Sequence, residues 1–248
     1  MKTTKAVIAA LLSAAMVAGA ADKAADNSLK EIEPHGEGSA PVLFIGDSMM
    51  KILGAQAEKE FKKAGVTPAV AFSSLGSGLV RKSVFNWNAK IDELIATNSP
   101  KMVFIALGTN DRQALETEDG IVNYTDAARW ETEYAKLVGA VMDQFIAAKL
   151  DTVVWFLPPD MKDVAHQEHA ALVRKIVIAE ALKEERKDKV QVFDMAKVLS
   201  TRPGKYSQYK MSLTGEALSV RDPDGVHLAP AGGKLVAQEL LKTYWGKK

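Results

Sequence analysis

Cysteine is absent from the 248 residues. No disulfide can form, and a lipoprotein anchor at the end of a leader is excluded, so the fold rests on its core alone. An excess of either charge is missing too. Thirty-two Lys and Arg against 31 Asp and Glu leave a formal +1, which gives no electrostatic reason to expect nucleic acid or anionic lipid as a partner. Long apolar runs are also lacking. The run Ala6–Val17 falls short of the roughly 20 residues a membrane-spanning helix needs.

That run, preceded by Lys2 and Lys5 and followed by the small residues Ala18-Gly-Ala20, has the pattern of a cleavable export leader. Three segments are expected: a leader over 1–20, a small, polar and charged tether over 21–39, and one folded domain over 40–248. Cleavage after Ala20 removes two lysines and turns +1 into −1. The expected location is outside the cytoplasm, in the periplasm, with no stable membrane insertion once the leader is gone.

The domain alternates short apolar runs with helical patterns. Val42–Ile45, Ala69–Phe72, Met102–Leu107, Thr152–Leu157 and Val190–Phe193 are near-continuously apolar, as strands covered on both faces are. Helices are predicted over Met49–Ala64, Asn86–Thr97 and Val164–Lys187, and from Pro230 to near Trp245. Another carries Trp130, Tyr134, Leu137, Val141 and Phe145 at helical spacing, a core stripe. Such alternation predicts an α/β fold with a parallel sheet between helical layers. Ligands bind beyond the carboxyl ends of its strands. Residues 200–221 have weak periodicity and read as a long loop or small hairpin beside the site.

Several residues of chemical interest follow strands directly. Gly46-Asp-Ser48 presents a serine after the first, Ser74-Leu-Gly76-Ser-Gly78 follows the second, and Gly108-Thr-Asn110-Asp111 follows the third. Asp222-Pro-Asp224-Gly-Val-His227 precedes the last helix. A serine hydroxyl becomes a nucleophile when a base removes its proton, and an acid orients that base. His227 is the candidate base and Asp224 the candidate acid, with Gly225 permitting the bend between them and Asp222 as a competitor. The Asn110 amide, the Ser48 backbone N–H and a glycine N–H in the second block supply candidate donors to an oxyanion. A lipase elbow, G-x-S-x-G, is set aside because Met50 stands where its second glycine belongs.

Taken together, these blocks resemble those of the SGNH hydrolases, the GDSL esterase and lipase superfamily. The resemblance implies a three-layer, flavodoxin-like α/β/α sandwich with five parallel strands. It implies a triad of Ser48, Asp224 and His227. The oxyanion hole would be made by Ser48, Gly78 (or Gly76) and Asn110. Met49 departs from the family's leucine with little change in volume. No metal or organic cofactor is implied. Export and the family together point to an ester substrate, with O-acetyl groups on envelope polysaccharide as the leading class. Acyl transfer by the same triad, lysophospholipase or thioesterase activity, and non-catalytic envelope binding are the alternatives. Arg81, Arg112 and Arg221 adjoin the blocks and are candidates to hold an anionic or sugar substrate. His166 and His169, three apart on a helix, would suit two metal ligands, but a solvated first turn is the preferred reading.

Overall fold

A computed structural model describes residues 41–247; the expected leader and tether lie outside them. Five strands, β1 (Val42–Gly46), β2 (Ala69–Ser73), β3 (Met102–Ala106), β6 (Thr152–Leu157) and β7 (Val190–Asp194), form one sheet. Its order is β2-β1-β3-β6-β7, and every pairing is parallel. Strands β1, β3 and β6 are buried at every position because helices cover both faces, while β2 and β7 are the less buried edges.

Side-chain alternation divides the core in two. Leu43, Ile45, Val103, Ile105, Val153 and Trp155 face one layer. That layer is built from α2 (Trp87–Asn98), α3 (Ala127–Ala147) and α4 (Val164–Ala181). The predicted aromatic stripe lies there, with Trp130 stacked on Tyr134 at a centroid distance of 4.6 Å. Phe44, Phe104, Val154 and Phe156 face the other layer. It consists of α1 (Ser48–Lys63), the short α5 (Met195–Leu199) and α6 (Pro230–Trp245). Phe44 stacks on Phe104 at 4.8 Å, and Phe61 and Tyr244 meet the pair edge-on. Such aromatic pairs add about 0.5–1.5 kcal/mol each beyond the area they bury.

Two small hairpins complete the chain: β4 (Leu115–Thr117) with β5 (Gly120–Val122), and β8 (Tyr209–Met211) with β9 (Ala217–Ser219). The second gives residues 200–221 their hairpin. The fourth predicted helix ends at Ala181 rather than Lys187. Arg186 is the reason. Its guanidinium turns back to Glu180 at 2.5 Å and to Asp143 at 2.6 and 2.7 Å, which a continuing helix would not permit.

Register sets the position of the site. Gly46 pairs with Ser73 on one side and Ala106 on the other, so the first three strands end level. The sequence order reverses between β1 and β3, where α/β sheets of this order place their ligand crevice.

Candidate active site

Asp47 caps α1, its Oδ1 accepting from the Met49 N–H at 2.9 Å, while its own N–H donates to the Ala106 carbonyl at 3.0 Å. Ser48 is thereby fixed as the first helical residue, half-buried at the strand ends. The other partners arrive on the loop before α6. His227 Nε2 lies 2.8 Å from Ser48 Oγ, and His227 Nδ1 lies 2.6 Å from Asp224 Oδ2. Asp224 Oδ1 accepts from the backbone N–H groups of Val226, at 2.8 Å, and His227, at 3.0 Å. One carboxylate therefore shapes the turn and orients the ring. Asp222 joins through its backbone instead, donating to the His227 carbonyl at 2.9 Å. Gly225, with φ of +79°, makes the bend between acid and histidine.

Partial burial raises the Asp224 carboxyl. Hydrogen bonds from the His227 ring and from the two backbone N–H groups outweigh it and hold the pKa at about 2. The acid beneath the serine behaves oppositely. Asp47 is wholly buried, and desolvation, helped by the nearby Asp111 carboxyl and opposed by the Met49 N–H, pushes its pKa up to about 7.

The segments after β2 and β3 are strapped together. Asn110 Nδ2 donates to the Ser77 carbonyl at 2.9 Å, and the Val80 N–H donates to Asp111 Oδ1 at 3.3 Å. The Tyr134 hydroxyl donates to Asp111 Oδ2 at 2.9 Å. A Cβ on Gly78 would stand 1.9 Å from Asp111 Oδ1, so this close approach requires glycine, whereas a Cβ on Gly76 would meet nothing within 4 Å. That difference favours Gly78 as the glycine whose backbone the fold brings in tightly. A cavity of about 350 Å³ opens against these arms, lined by Gly76, Gly78, Arg81, Asn110 and Arg112 among others. A larger groove of about 1020 Å³ runs between α6 and the β8–β9 hairpin, and neither cavity is lined by Ser48, Asp224 or His227.

Arg81 and Arg112 are exposed at the first cavity. Arg221 is not available to a ligand, contrary to the expectation from its sequence position. It is 1% exposed, and burial lowers its pKa to about 10. Its guanidinium donates to the carbonyls of Asp160 at 2.6 Å, Val226 at 2.7 Å and His227 at 3.3 Å. It ties the histidine loop to the segment after β6. No motif announced this role, because the partners Asp160 and Met161 lie 61 and 60 positions away.

His166 and His169 do not converge. His166 is exposed and lies 3.1 Å from the α4 cap Asp163. His169 is 1% exposed, and burial lowers its pKa. Its Nε2 lies 2.9 Å from the Gly108 carbonyl and its Nδ1 3.1 Å from the Tyr124 hydroxyl. A carbonyl only accepts, so Nε2 carries the proton and Nδ1 receives the tyrosine's. Sequence reasoning missed this buttress behind the Gly108–Asn110 turn. Its three parts are 16, 45 and 61 positions apart, and no local pattern links them.

Residues 41–243 match the family described as "Protein of unknown function (DUF459)". The chain belongs to this family. The DUF459 chain has no match among curated proteins. Among solved structures it is similar to a lipase/acylhydrolase from Enterococcus faecalis, at 14% identity and a TM-score of 0.55, covering 84% of this chain and 99% of that one. It is also similar to a protein of the lipolytic G-D-S-L family from Veillonella parvula, at 15% identity and a TM-score of 0.54, covering 83% and 98%. A protein from Slackia heliotrinireducens assigned to the SGNH hydrolases matches at 15% identity and a TM-score of 0.55, covering 83% and 99%. The fold is that of the SGNH hydrolases, as the sequence blocks imply.

Proposed function

We propose that this protein is a serine hydrolase of carboxylic esters. The observation that carries the reading is the continuous relay from Ser48 Oγ to His227 Nε2, 2.8 Å, and from His227 Nδ1 to Asp224, 2.6 Å. Both distances are within proton-transfer reach. In this mechanism Ser48 Oγ attacks the ester carbonyl carbon and His227 Nε2 takes its proton. Asp224 accepts the hydrogen bond from Nδ1–H, fixing the tautomer and stabilising the imidazolium.

The carbonyl oxygen, now an oxyanion, is received by the Ser48 and Gly78 N–H groups and the Asn110 amide. One Asn110 amide proton is engaged by the Ser77 carbonyl, which sets the plane of the group and leaves the second for the oxyanion. Collapse expels the alcohol, which takes the proton from His227. Water, deprotonated by the same ring, then releases the acid and restores Ser48.

The chemistry draws on no metal or organic cofactor. The natural ester in this reading is an O-acetyl group on an envelope glycan, supported by the leader pattern of residues 1–20 and the SGNH resemblance. Hydrolysis of a short aryl ester by the wild type and by Ser48→Ala tests it, together with labelling by a fluorophosphonate. Turnover and labelling that both vanish in Ser48→Ala are expected. Equal rates in the two proteins, or an unlabelled Ser48, would overturn the hydrolase reading in favour of a binding protein. Products formed with an acceptor glycan present distinguish hydrolysis from acyl transfer.

A further inference from the structure

Most arginines whose contacts are defined here are committed to the protein. Arg174 holds Asp194 at 2.8 Å, Arg186 holds Glu180 and Asp143, and Arg221 holds backbone carbonyls. Arg81 and Arg112 differ. Both line the cavity beside Gly78 and Asn110, and no carboxylate lines it with them. Among the described residues neither guanidinium belongs to an ion pair. The acid in the neighbourhood, Glu116, attracts Arg81 through space but gives its hydrogen bonds to the Ser83 N–H and hydroxyl.

Each guanidinium is also oriented. Arg81 Nη1 donates to Gln113 Oε1 at 3.2 Å, and Gln113 Nε2 donates to the Asn110 carbonyl at 2.8 Å. Arg81 is thus coupled to the segment that presents the asparagine amide. Arg112 lies over the Tyr124 ring, 5.8 Å from its centroid. The planar fork of arginine matches the oxygens of carboxylates and phosphates. Two such forks outside any ion pair, in a cavity of about 350 Å³ lined also by Gly78 and Asn110, are the elements an anion subsite requires.

We propose that the ester cleaved at Ser48 carries an anionic oxygen group, held by Arg81 and Arg112. The proposal rests on the hydrolase reading for its place in the reaction, but its binding step is measurable without turnover. Calorimetry on Ser48→Ala with succinate, glucuronate and inorganic phosphate, each against a neutral counterpart where one exists, reads the subsite directly. At least one anion binds, weakens with added salt, and loses about tenfold in affinity in an Arg81→Gln background and more in the double variant with Arg112→Gln. Absence of binding by all three, or binding undiminished in the double variant, overturns the proposal.

Two turnover arms on the wild type then locate the charge. A succinyl half-ester places it on the acyl group, and an acetylated glucuronate places it on the carrier. Preference for the charged over the matched neutral ester in either arm supports the subsite and identifies its source. Neutral esters hydrolysed as fast as both charged ones would overturn it while leaving the hydrolase reading intact. Anion binding with no turnover of any ester would instead uphold the subsite and remove the hydrolase.

Discussion

Two carboxylates flank the Ser48–His227 pair and are built in opposite ways. Asp47 precedes the serine, is wholly buried, and has its pKa pushed up to about 7 by desolvation. Asp224 stands behind the histidine, is exposed, and is held at about 2 by donors aimed at both its oxygens. Burial alone does not make a charged acid. Hydrogen-bond donors lower both acids, from Met49 and Thr109 at Asp47 and from His227 and Val226 at Asp224. Complete burial outweighs them at Asp47, and the exposed Asp224 is the one kept ionised. Under the proposed mechanism the comparison assigns Asp224 to rate and Asp47 to stability.

The sharpest way to break that division is to neutralise each acid in turn. Asp224→Asn is expected to lower kcat by about 10⁴ through the wrong imidazole tautomer, with the thermal midpoint little changed. Asp222→Asn should have a far smaller effect in the same ester assay. A larger loss at Asp222 would reverse the assignment.

Asp47→Asn reads out in stability. The folded protein retains the Asp47 proton between the ordinary value of 3.8 and about 7, where the unfolded chain releases it. Its stabilising contribution is therefore complete below 3.8 and is lost as pH rises through about 7. The loss is at most about 4 kcal/mol. Asparagine keeps the helix cap, so denaturant midpoints for Asp47→Asn should lack this decline. A wild-type and variant pair with parallel profiles from pH 4 to 8 would count against the buried-proton account.

Next in size is Asn110→Ala. Loss of one oxyanion donor is expected to cost about a hundred- to a thousandfold in kcat with little change in KM. Gly78→Ala should be smallest. The new methyl meets the Asp111 carboxyl and costs about 1–3 kcal/mol of stability in thermal unfolding. Gly76→Ala carries no such collision, only the strain of its left-handed φ of +68°, and a Gly78→Ala midpoint equal to wild type would discard the steric argument.

Much of this was legible in the sequence, and for a physical reason. Strands covered on both faces must be apolar at every position, so Val42–Ile45 and Met102–Leu107 stand out from their surroundings. The meeting of Ser48 with His227, and the place of Asn110 after β3, were readable because each residue belongs to a short local pattern with chemical meaning. The β4–β5 hairpin was not legible. It has three residues per strand, interleaved with Glu116, Glu118 and Asp119, and its pairing is its only signature. The end of α4 was missed because Lys183–Lys187 has good helix-forming composition that the Arg186 ion pairs override. Arg221 was misread because proximity in sequence to a catalytic block does not say which way a side chain points.

The Arg221 strap has a further consequence for turnover. Because one fork of donors fastens the carbonyls of Val226 and His227 to that of Asp160, the imidazole sits on a mount continuous with the sheet. In the proposed hydrolysis this mount would hold His227 in place while the substrate comes to it. In the proposed reaction an incoming ester would be accommodated by the exposed side chains of Arg81 and Arg112, each held by a single side-chain contact, to Gln113 and to the Tyr124 ring.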